Sequence, residues 1–288
     1  MTDHAKGLLI TTLGVLFIVP DSLLTRLIDA DMVTVAFWRN ATSGIVAVLV
    51  LLAVERGDIV RTVRATGRAG LIYGVIVALT GILFVFAVKL TSVANVVFIL
   101  AAMPVFAAIF SWFMLGERIG SRMMATMLVV ACGIAVIAYG SGSNEIASIE
   151  GDAIALAIAV IFAFALTVAR RARSVSMMPA VPFAFLGAAL VLWPFADVWS
   201  ILPEHWWMIA VHGGIFITVS MSLLAIGPRY IPSAEVSLLV LLESVLAPLL
   251  VWAIIGEHPG AWTLAGGVVV VGALLVSNLV ALMRMRSA

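Results

Sequence analysis

Charged residues are scarce in this sequence. Asp, Glu, Lys and Arg make up 11% of its 288 residues, whereas hydrophobic residues make up 64%. Soluble domains carry roughly 25% charged residues, and a water-soluble fold of this length could not cover so much apolar surface. Part of the surface must therefore face lipid. The net charge of +1 gives no strongly basic surface, so we expect no nucleic-acid partner.

Metal-binding and nucleophilic motifs are also missing. The single cysteine, Cys132, excludes an intrachain disulfide and supports no metal cluster. His205, His212 and His258 form no His-x3-His pair and have no nearby cysteine to complete a zinc set. No Walker motif is present, and no nucleophile elbow surrounds Ser141. We expect no metal, no cofactor and no enzyme activity.

Long apolar runs are abundant. A membrane-spanning helix needs about 20 mostly apolar residues. Such runs predict an all-α membrane protein with ten transmembrane helices, numbered here as spans 1 to 10 in chain order. The predicted spans cover 7–28, 32–54, 70–90, 93–115, 121–140, 151–170, 176–198, 206–226, 233–255 and 262–283.

The basic residues predict the orientation, because cytoplasmic loops are enriched in Lys and Arg. With the N-terminus in the cytoplasm, thirteen of the sixteen basic residues lie on the inner side. We therefore predict a multi-pass protein of the bacterial inner membrane with both termini cytoplasmic. The inner basic residues are Lys6, Arg56, Arg61, Arg64, Arg68, Arg118, Arg122, Arg170, Arg171, Arg173, Arg229, Arg284 and Arg286.

The sequence contains an internal repeat. A shift of 140 residues places span 4 on span 9 without a gap, and the pattern Trp-x3-Gly-Glu-x2-Gly begins at both Trp112 and Trp252. The repeat predicts two five-helix units, 1–146 and 147–288. Because five is an odd number, the two units must insert with opposite topology. Inverted repeats are typical of transporters, in which the substrate binds at the repeat interface and access alternates between the two sides.

These features resemble the drug/metabolite transporter superfamily, of the EamA type. The resemblance is carried by the five-plus-five spans, the Gly-Glu endings of spans 4 and 9, the Ala-Phe-Trp-Arg stretch at 36–39 and the Leu-Glu-Ser-Val-Leu-Ala-Pro stretch at 242–248. It implies export of amino acids and related metabolites, while some members handle drugs or dyes. It also implies a central cavity lined by spans 1–4 and 6–9, with spans 5 and 10 peripheral and Met103 facing the cavity.

Two opposite charges lie at equal depth in spans 1 and 2. Asp21 and Arg39 are each about seven residues from the outer end of their span, which is about 10 Å below the outer surface. They could pair with each other as a structural ion pair, or they could flank a substrate that carries both charges. Pro20 predicts a helix kink beside Asp21.

Glu243 is the only acid near the membrane midplane. Its repeat equivalent is Met103, and Pro104 and Pro248 predict a kink near the centre of spans 4 and 9. Transporters place binding groups on interrupted helices that face a cavity. Glu243 is therefore predicted either to bind a substrate amine or a coupling proton, or to be a protonated or backbone-bonded residue that packs span 9.

Three further side chains are candidates for the cavity wall. Phe162, at mid-depth in span 6, and Trp38, beside Arg39, could receive an apolar substrate side chain. His212 is ionisable and lies within span 8, so it should face protein or water.

Three functional hypotheses follow from these residues. The first is a secondary or facilitated exporter of amino acids, including aromatic or other apolar ones, that works by alternating access as a monomer and uses its own gradient or proton antiport. The second is an efflux transporter for cationic drugs, which Arg39 would disfavour by repelling a cation. The third is a membrane enzyme or sensor, for which the sequence offers neither a catalytic set nor a soluble domain.

The predicted orientation can be tested by thiol labelling. In a Cys132→Ser background, a cysteine at position 145 should react with an impermeant reagent added outside intact cells. A cysteine at position 64 should react only after the membrane is opened. The reverse pattern would contradict the orientation.

Overall fold

The apolar runs fold as helices because a backbone in hydrocarbon must satisfy its own hydrogen bonds. The computed structural model describes residues 3–54, 59–142, 146–172, 175–226, 230–231 and 233–286. Ten helices in these residues are long and apolar enough to cross a membrane, which confirms the predicted fold class. They are Asp3–Leu27, Met32–Ala53, Gly67–Leu90, Val93–Leu115, Ser121–Ser141, Ile149–Arg171, Met178–Phe195, Pro203–Leu224, Leu238–Ile255 and Ala261–Met283.

Proline interrupts two of the spans. Span 1 consists of the helices Asp3–Ile18 and Pro20–Leu27, and span 4 consists of Val93–Leu100 and Met103–Leu115. Pro20 and Pro104 have no backbone N–H, so the carbonyl four residues earlier loses its helical donor. Span 9, in contrast, is one uninterrupted helix, Ser233–Ile255, with Pro248 inside it. The two repeats therefore differ here: the expected break occurs in span 4 and not in span 9.

Span 8 departs from regular α-helix. It consists of the α-helix Trp206–Val211, a π-helical stretch His212–Ile217 and the α-helix Thr218–Ile226. The other elements are the α-helices Met32–Val54, Ile59–Ala65, Gly67–Leu90, Ser121–Ser141, Ile149–Arg171, Val181–Leu192 and Ala261–Arg286, with 3-10 turns at Met178–Ala180, Trp193–Phe195 and Pro203–His205.

The helices that carry the repeat motif end in the same way. Gly116 follows span 4 and Gly256 follows span 9, and their backbone φ angles are 70° and 71°. Only glycine adopts this left-handed conformation at little cost, and it commonly terminates a helix. The Gly-Glu pair is thus a helix end that projects the following glutamate, Glu117 or Glu257, away from the span.

The helix contacts follow the repeat. Span 3 packs on span 6 as span 8 packs on span 1, and span 4 packs on span 6 as span 9 packs on span 1. Spans 3 and 7 pack together as spans 8 and 2 do, and spans 2 and 7, 4 and 9, and 5 and 10 each pack on their own repeat equivalent. Exchanging the two halves therefore leaves this pattern unchanged.

The start of span 1 and the end of span 10 lie on one face of the bundle, which we call the terminal face; the opposite face is the distal face. Arg56, Arg173, Arg229 and position 145 lie outside the described residues. The assignment of the terminal face to the cytoplasm and the division at residue 146 both remain predictions.

Spans 5 and 10 approach each other at two glycines. A Cβ on Gly133 would lie 2.6 Å from Val270 Cγ2 and 3.0 Å from the Gly266 carbonyl oxygen. A Cβ on Gly266 would likewise collide with Ile137 Cγ1, at 2.6 Å. Small residues at this crossing allow the two backbones to come close, which is how membrane helices gain van der Waals contact.

Replacing Gly133 by leucine should therefore destabilise the protein by about 1–3 kcal/mol, the usual cost of overpacking. Gly272→Leu is a matched control on span 10, because nothing lies within 4 Å of a Cβ at that position. Thermal unfolding in detergent should show a lower midpoint for Gly133→Leu alone. Equal midpoints for the two variants would contradict the close crossing.

Candidate functional site

Three ionisable side chains from different spans meet inside the bundle. Arg39 of span 2 donates two hydrogen bonds to Asp21 of span 1, from Nε to Oδ1 at 3.0 Å and from Nη2 to Oδ2 at 2.7 Å. His212 Nε2 of span 8 lies 2.5 Å from Asp21 Oδ1. The three side chains are buried, with 3%, 7% and 1% of Asp21, Arg39 and His212 exposed. We call this group the charge cluster.

The fork geometry explains how the cluster is tolerated. A guanidinium and a carboxylate that form two parallel hydrogen bonds satisfy each other's charge and directionality. Burial of either charge alone would be expensive. The two residues that the sequence placed at equal depth are thus brought together, and His212 is the third member.

The π-helical stretch of span 8 begins at His212. A Cβ on the next residue, Gly213, would lie 2.8 Å from the Arg39 carbonyl oxygen, so span 8 is close against span 2 here. Thr218 Oγ1 donates to the Gly213 carbonyl oxygen at 2.9 Å, which satisfies an acceptor in the irregular turn. Such π-helical turns are frequent at functional sites.

Span 3 supplies the space and the surface for Arg39. Phe84 lies below the guanidinium, with 5.4 Å between Arg39 Cζ and the ring centroid. A Cβ on Gly81 would lie 3.1 Å from Arg39 Nη1 and 3.4 Å from Asn40 Oδ1. The sequence analysis missed both residues, because a search for polar groups at membrane depth does not find a glycine and a phenylalanine.

Glu243 of span 9 lies deep in the bundle and is close enough to Asp21 for the two charges to interact. Its side chain is nevertheless partly exposed, and it has no hydrogen-bond partner among the described residues. A deeply placed acid that keeps exposed surface borders an internal space. Glu243 is therefore accessible to a ligand in a way that the buried Asp21 is not.

Two buried oxygens beside the charge cluster have no protein partner. They are Ser22 Oγ, next to Asp21 in the chain, and Asn40 Oδ1, next to Arg39. Buried polar atoms are nearly always hydrogen-bonded, so each exception requires an explanation. A ligand or water that enters the internal space could donate a hydrogen bond to these oxygens.

The other predicted cavity residues are dispersed. Met103, at the start of the second helix of span 4, is partly exposed. Phe162 is partly buried and packs on an apolar cluster that includes Ile18, Phe185 and Ile217. Trp38 contacts neither Asp21 nor His212 in the contacts described. The residues of this cluster come from spans 1, 6, 7 and 8.

Trp38 belongs instead to an aromatic cluster at the distal end of spans 7 and 8. Its Nε1 donates to the Val198 carbonyl oxygen at 3.2 Å, and its ring lies edge-on to Trp206, 4.9 Å between centroids. The structure therefore separates Trp38 from the charge cluster, although Arg39 is its chain neighbour. Successive residues of a helix point about 100° apart, which the shared depth of the two residues conceals.

A second buried polar network lies near the distal face. Asn95 of span 4 donates from Nδ2 to Ser141 Oγ at 2.7 Å and to Asp152 Oδ1 at 2.9 Å, and its Oδ1 accepts from Thr263 Oγ1 at 2.6 Å. Thr91 Oγ1 donates to Asp152 Oδ1 at 2.8 Å. The network ties spans 4, 5, 6 and 10 together. It was not predicted, since its members lie near span ends.

An apolar groove lies away from the charge cluster. It has a volume of 460 Å³, runs along spans 9 and 10, and is lined by residues that include Phe98, Pro248, Trp252, Leu264 and Val271. Its walls offer almost no polar atoms, so it lacks the groups that would bind a charged metabolite.

Comparison with known proteins establishes the class of the protein. The model of the EamA-like transporter family matches residues 5–139 and 149–279. The chain belongs to this family, whose members are membrane transporters. The expectation raised by the sequence motifs is therefore confirmed at the level of the family.

The fold is also known from experiment. The crystal structure of another protein matches with a TM-score of 0.68 and 20% sequence identity, over 96% of this chain and 98% of that chain. At this identity the likeness concerns the fold alone. No significant match was found among curated proteins.

Removal of one partner from the charge cluster should be costly. Asp21→Asn leaves the buried Arg39 without its anion, and breaking a buried pair costs about 3–5 kcal/mol. We expect a marked fall of the unfolding midpoint in detergent. The double variant Asp21→Asn with Arg39→Gln should recover much of the loss, because no charge then remains unpaired.

Glu204→Gln provides the control, because Glu204 is an exposed acid near the distal face. It should leave the midpoint unchanged. If Asp21→Asn were as stable as this control, or if the two losses simply added, Arg39 would not depend on Asp21.

Proposed function

We propose that this protein exports amino acids across the bacterial inner membrane by alternating access. The observation that carries the proposal is the arrangement of one buried arginine, Arg39, near an accessible acid without a partner, Glu243. Arg39 would bind the substrate carboxylate and Glu243 the substrate ammonium group. An amino acid carries both groups on one carbon atom.

Asp21 would act as an internal substitute for the substrate carboxylate. In the structure, Asp21 occupies the two donors of Arg39 that face it. A substrate carboxylate can replace it with the same bidentate geometry, so that the guanidinium stays paired throughout. Asp21 would then keep its contact with His212. This exchange avoids an unpaired charge in the low-dielectric interior at any stage.

The unpartnered oxygens fit the same substrate. Asn40 Oδ1 and Arg39 Nη1 border the same glycine, Gly81. An amide oxygen without a donor can accept a hydrogen bond from an ammonium group. Apolar side chains of the substrate would contact the surfaces that Phe162 and Met103 contribute.

A second candidate function is the efflux of cationic compounds. It is favoured by the two acids, Asp21 and Glu243, which interact electrostatically while a single arginine lies between spans 1 and 3. It is disfavoured by the permanent charge of Arg39, which repels a cation that carries no carboxylate. The two functions differ in their need for Arg39.

The arginine can be tested without leaving Asp21 unpaired. The double variant Asp21→Asn with Arg39→Gln removes both charges and should fold. In proteoliposomes it should lose transport of amino acids by roughly 10–100-fold, the value of one or two hydrogen bonds to a charged group. Transport of the matching decarboxylated amines should change far less. Equal losses for both substrates would mean that Arg39 only stabilises the fold.

The acid is tested by Glu243→Gln, which keeps the volume and one acceptor but removes the titratable proton. Downhill exchange of substrate should survive better than transport driven by a pH gradient, because only the latter requires proton release. Glu235→Gln is a control on the same helix, since Glu235 pairs with His4 at the terminal face. If Glu243→Gln behaved like this control in both assays, Glu243 would be a packing residue.

A further inference from the structure

Two ion pairs lie at equivalent positions of the two repeats, on opposite faces of the bundle. Arg26, near the end of span 1, pairs with Glu257, which follows span 9, at 2.9 Å. Arg170, at the end of span 6, pairs with Glu117, which follows span 4, at 2.8 Å. The shift of 140 residues relates the two glutamates, and a shift of 144 relates the two arginines.

An independent contact supports the shift of 144. It relates Gly7 of span 1 to Gly151 of span 6. A Cβ on Gly7 would lie 2.7 Å from Ile231 Cγ2, and a Cβ on Gly151 would lie 2.6 Å from Thr91 Cβ. Thr91 and Ile231 are themselves 140 residues apart. Each glycine thus admits the equivalent loop of its own side, and the two shifts describe one pseudo-twofold relation.

The packing divides the transport core into two groups of helices. Span 1 packs on spans 8 and 9, and span 6 packs on spans 3 and 4. We call these groups the 1–8–9 bundle and the 3–4–6 bundle; the repeat exchanges them. Both ion pairs lie within one bundle, because Glu257 follows span 9 and Glu117 follows span 4.

The distal pair also binds the opposite bundle. Arg26 Nη2 donates to the Thr91 carbonyl oxygen at 2.7 Å, and Glu257 Oε1 accepts from the backbone N–H of Val93 at 2.7 Å. Thr91 and Val93 belong to the loop and first turn that open span 4. Only 17% of the Arg26 side chain and 9% of the Glu257 side chain are exposed. At the distal face the two bundles are therefore joined.

The terminal pair does not make the equivalent contacts. The side chains of Arg170 and Glu117 are 59% and 45% exposed. Within the described residues, each is paired only with the other. The repeat equivalents of the distal acceptor and donor are the Ile231 carbonyl oxygen and the first backbone N–H of span 9. The same charged pair is thus present at both faces but engaged across the bundles at only one.

We propose that the two pairs are the opposite gates of the transport cycle. Arg26 and Glu257 close the distal face in the present state. When that gate opens, Arg170 and Glu117 close the terminal face by binding the Ile231 carbonyl oxygen and the N-terminus of span 9, where a helix favours an anion. The proposal rests on alternating access by the proposed transporter, and it does not depend on which substrate is carried.

Pulsed electron-electron resonance between paired spin labels measures both gates. In a Cys132→Ser background, one labelled pair at positions 150 and 202 reports on the distal face, and another at 68 and 226 reports on the terminal face. Each pair places one label on each bundle, at exposed residues that belong to neither gate. The protein is measured in nanodiscs without substrate, so a wrong substrate assignment would not affect the result.

Glu257→Gln removes the charge from the distal gate. It should increase the ratio of distal-open to distal-closed protein about tenfold, the loss expected for one hydrogen bond to a charged group. The terminal distance should shorten in the same fraction of molecules. On the Glu257→Gln background, Glu117→Gln should reverse the shift, because it removes the contact that stabilises the newly closed face. Arg170→Gln should reverse it in the same way.

Two exposed charges serve as controls. Arg118→Gln lies beside Glu117 and Glu204→Gln lies near the distal face, and neither residue contacts the opposite bundle in the described structure. Both controls should leave the distance distributions unchanged. The proposal is overturned if Glu257→Gln produces no distal opening. It is also overturned if Glu117→Gln and Arg170→Gln fail to reverse that opening, or if the controls shift the distributions equally.

Discussion

An arginine inside a membrane protein needs an anion, and much of the central architecture can be traced to this one requirement. Arg39 meets it with Asp21, which lies on the helix that begins at Pro20. Span 3 makes room for the guanidinium at Gly81 and places Phe84 below it. Span 8 adopts a π-helical stretch as it brings His212 to the same carboxylate. Four spans thus converge on a single buried charge pair.

The repeat gives the bundle its symmetry, but the charges break it. The equivalent of Glu243 is Met103, and the shift of 144 residues places Asp21 on Ala165. The acids therefore lie in the 1–8–9 bundle, and the opposite wall of the internal space is apolar in the corresponding positions. A symmetric scaffold supports the movement between two states, whereas the asymmetric charges define one orientation for a bound molecule. The paired arginines and glutamates at the two faces belong to the symmetric part.

Periodicity and charge distribution in the sequence predict the ten spans, because each depends on a local run of residues. The depth of Asp21 and Arg39 also follows from counting residues, so pairing could be one of two predicted alternatives. The direction in which a side chain points depends on helix rotation, which no local run determines. Trp38 therefore lies among distal aromatic rings rather than beside the charge cluster. The partner of His212 could not be predicted either, since a π-helical stretch sets the rotation of span 8.

The central claim is that one substrate carries both a carboxylate and an ammonium group. Counterflow into proteoliposomes tests it directly, with the wild-type protein and three labelled compounds of equal side chain: an amino acid, its decarboxylated amine and its deaminated acid. The account predicts rapid exchange of the amino acid and slow exchange of the two analogues, because each analogue leaves either Arg39 or Glu243 without its ligand. Exchange of the amine at the rate of the amino acid would contradict the account.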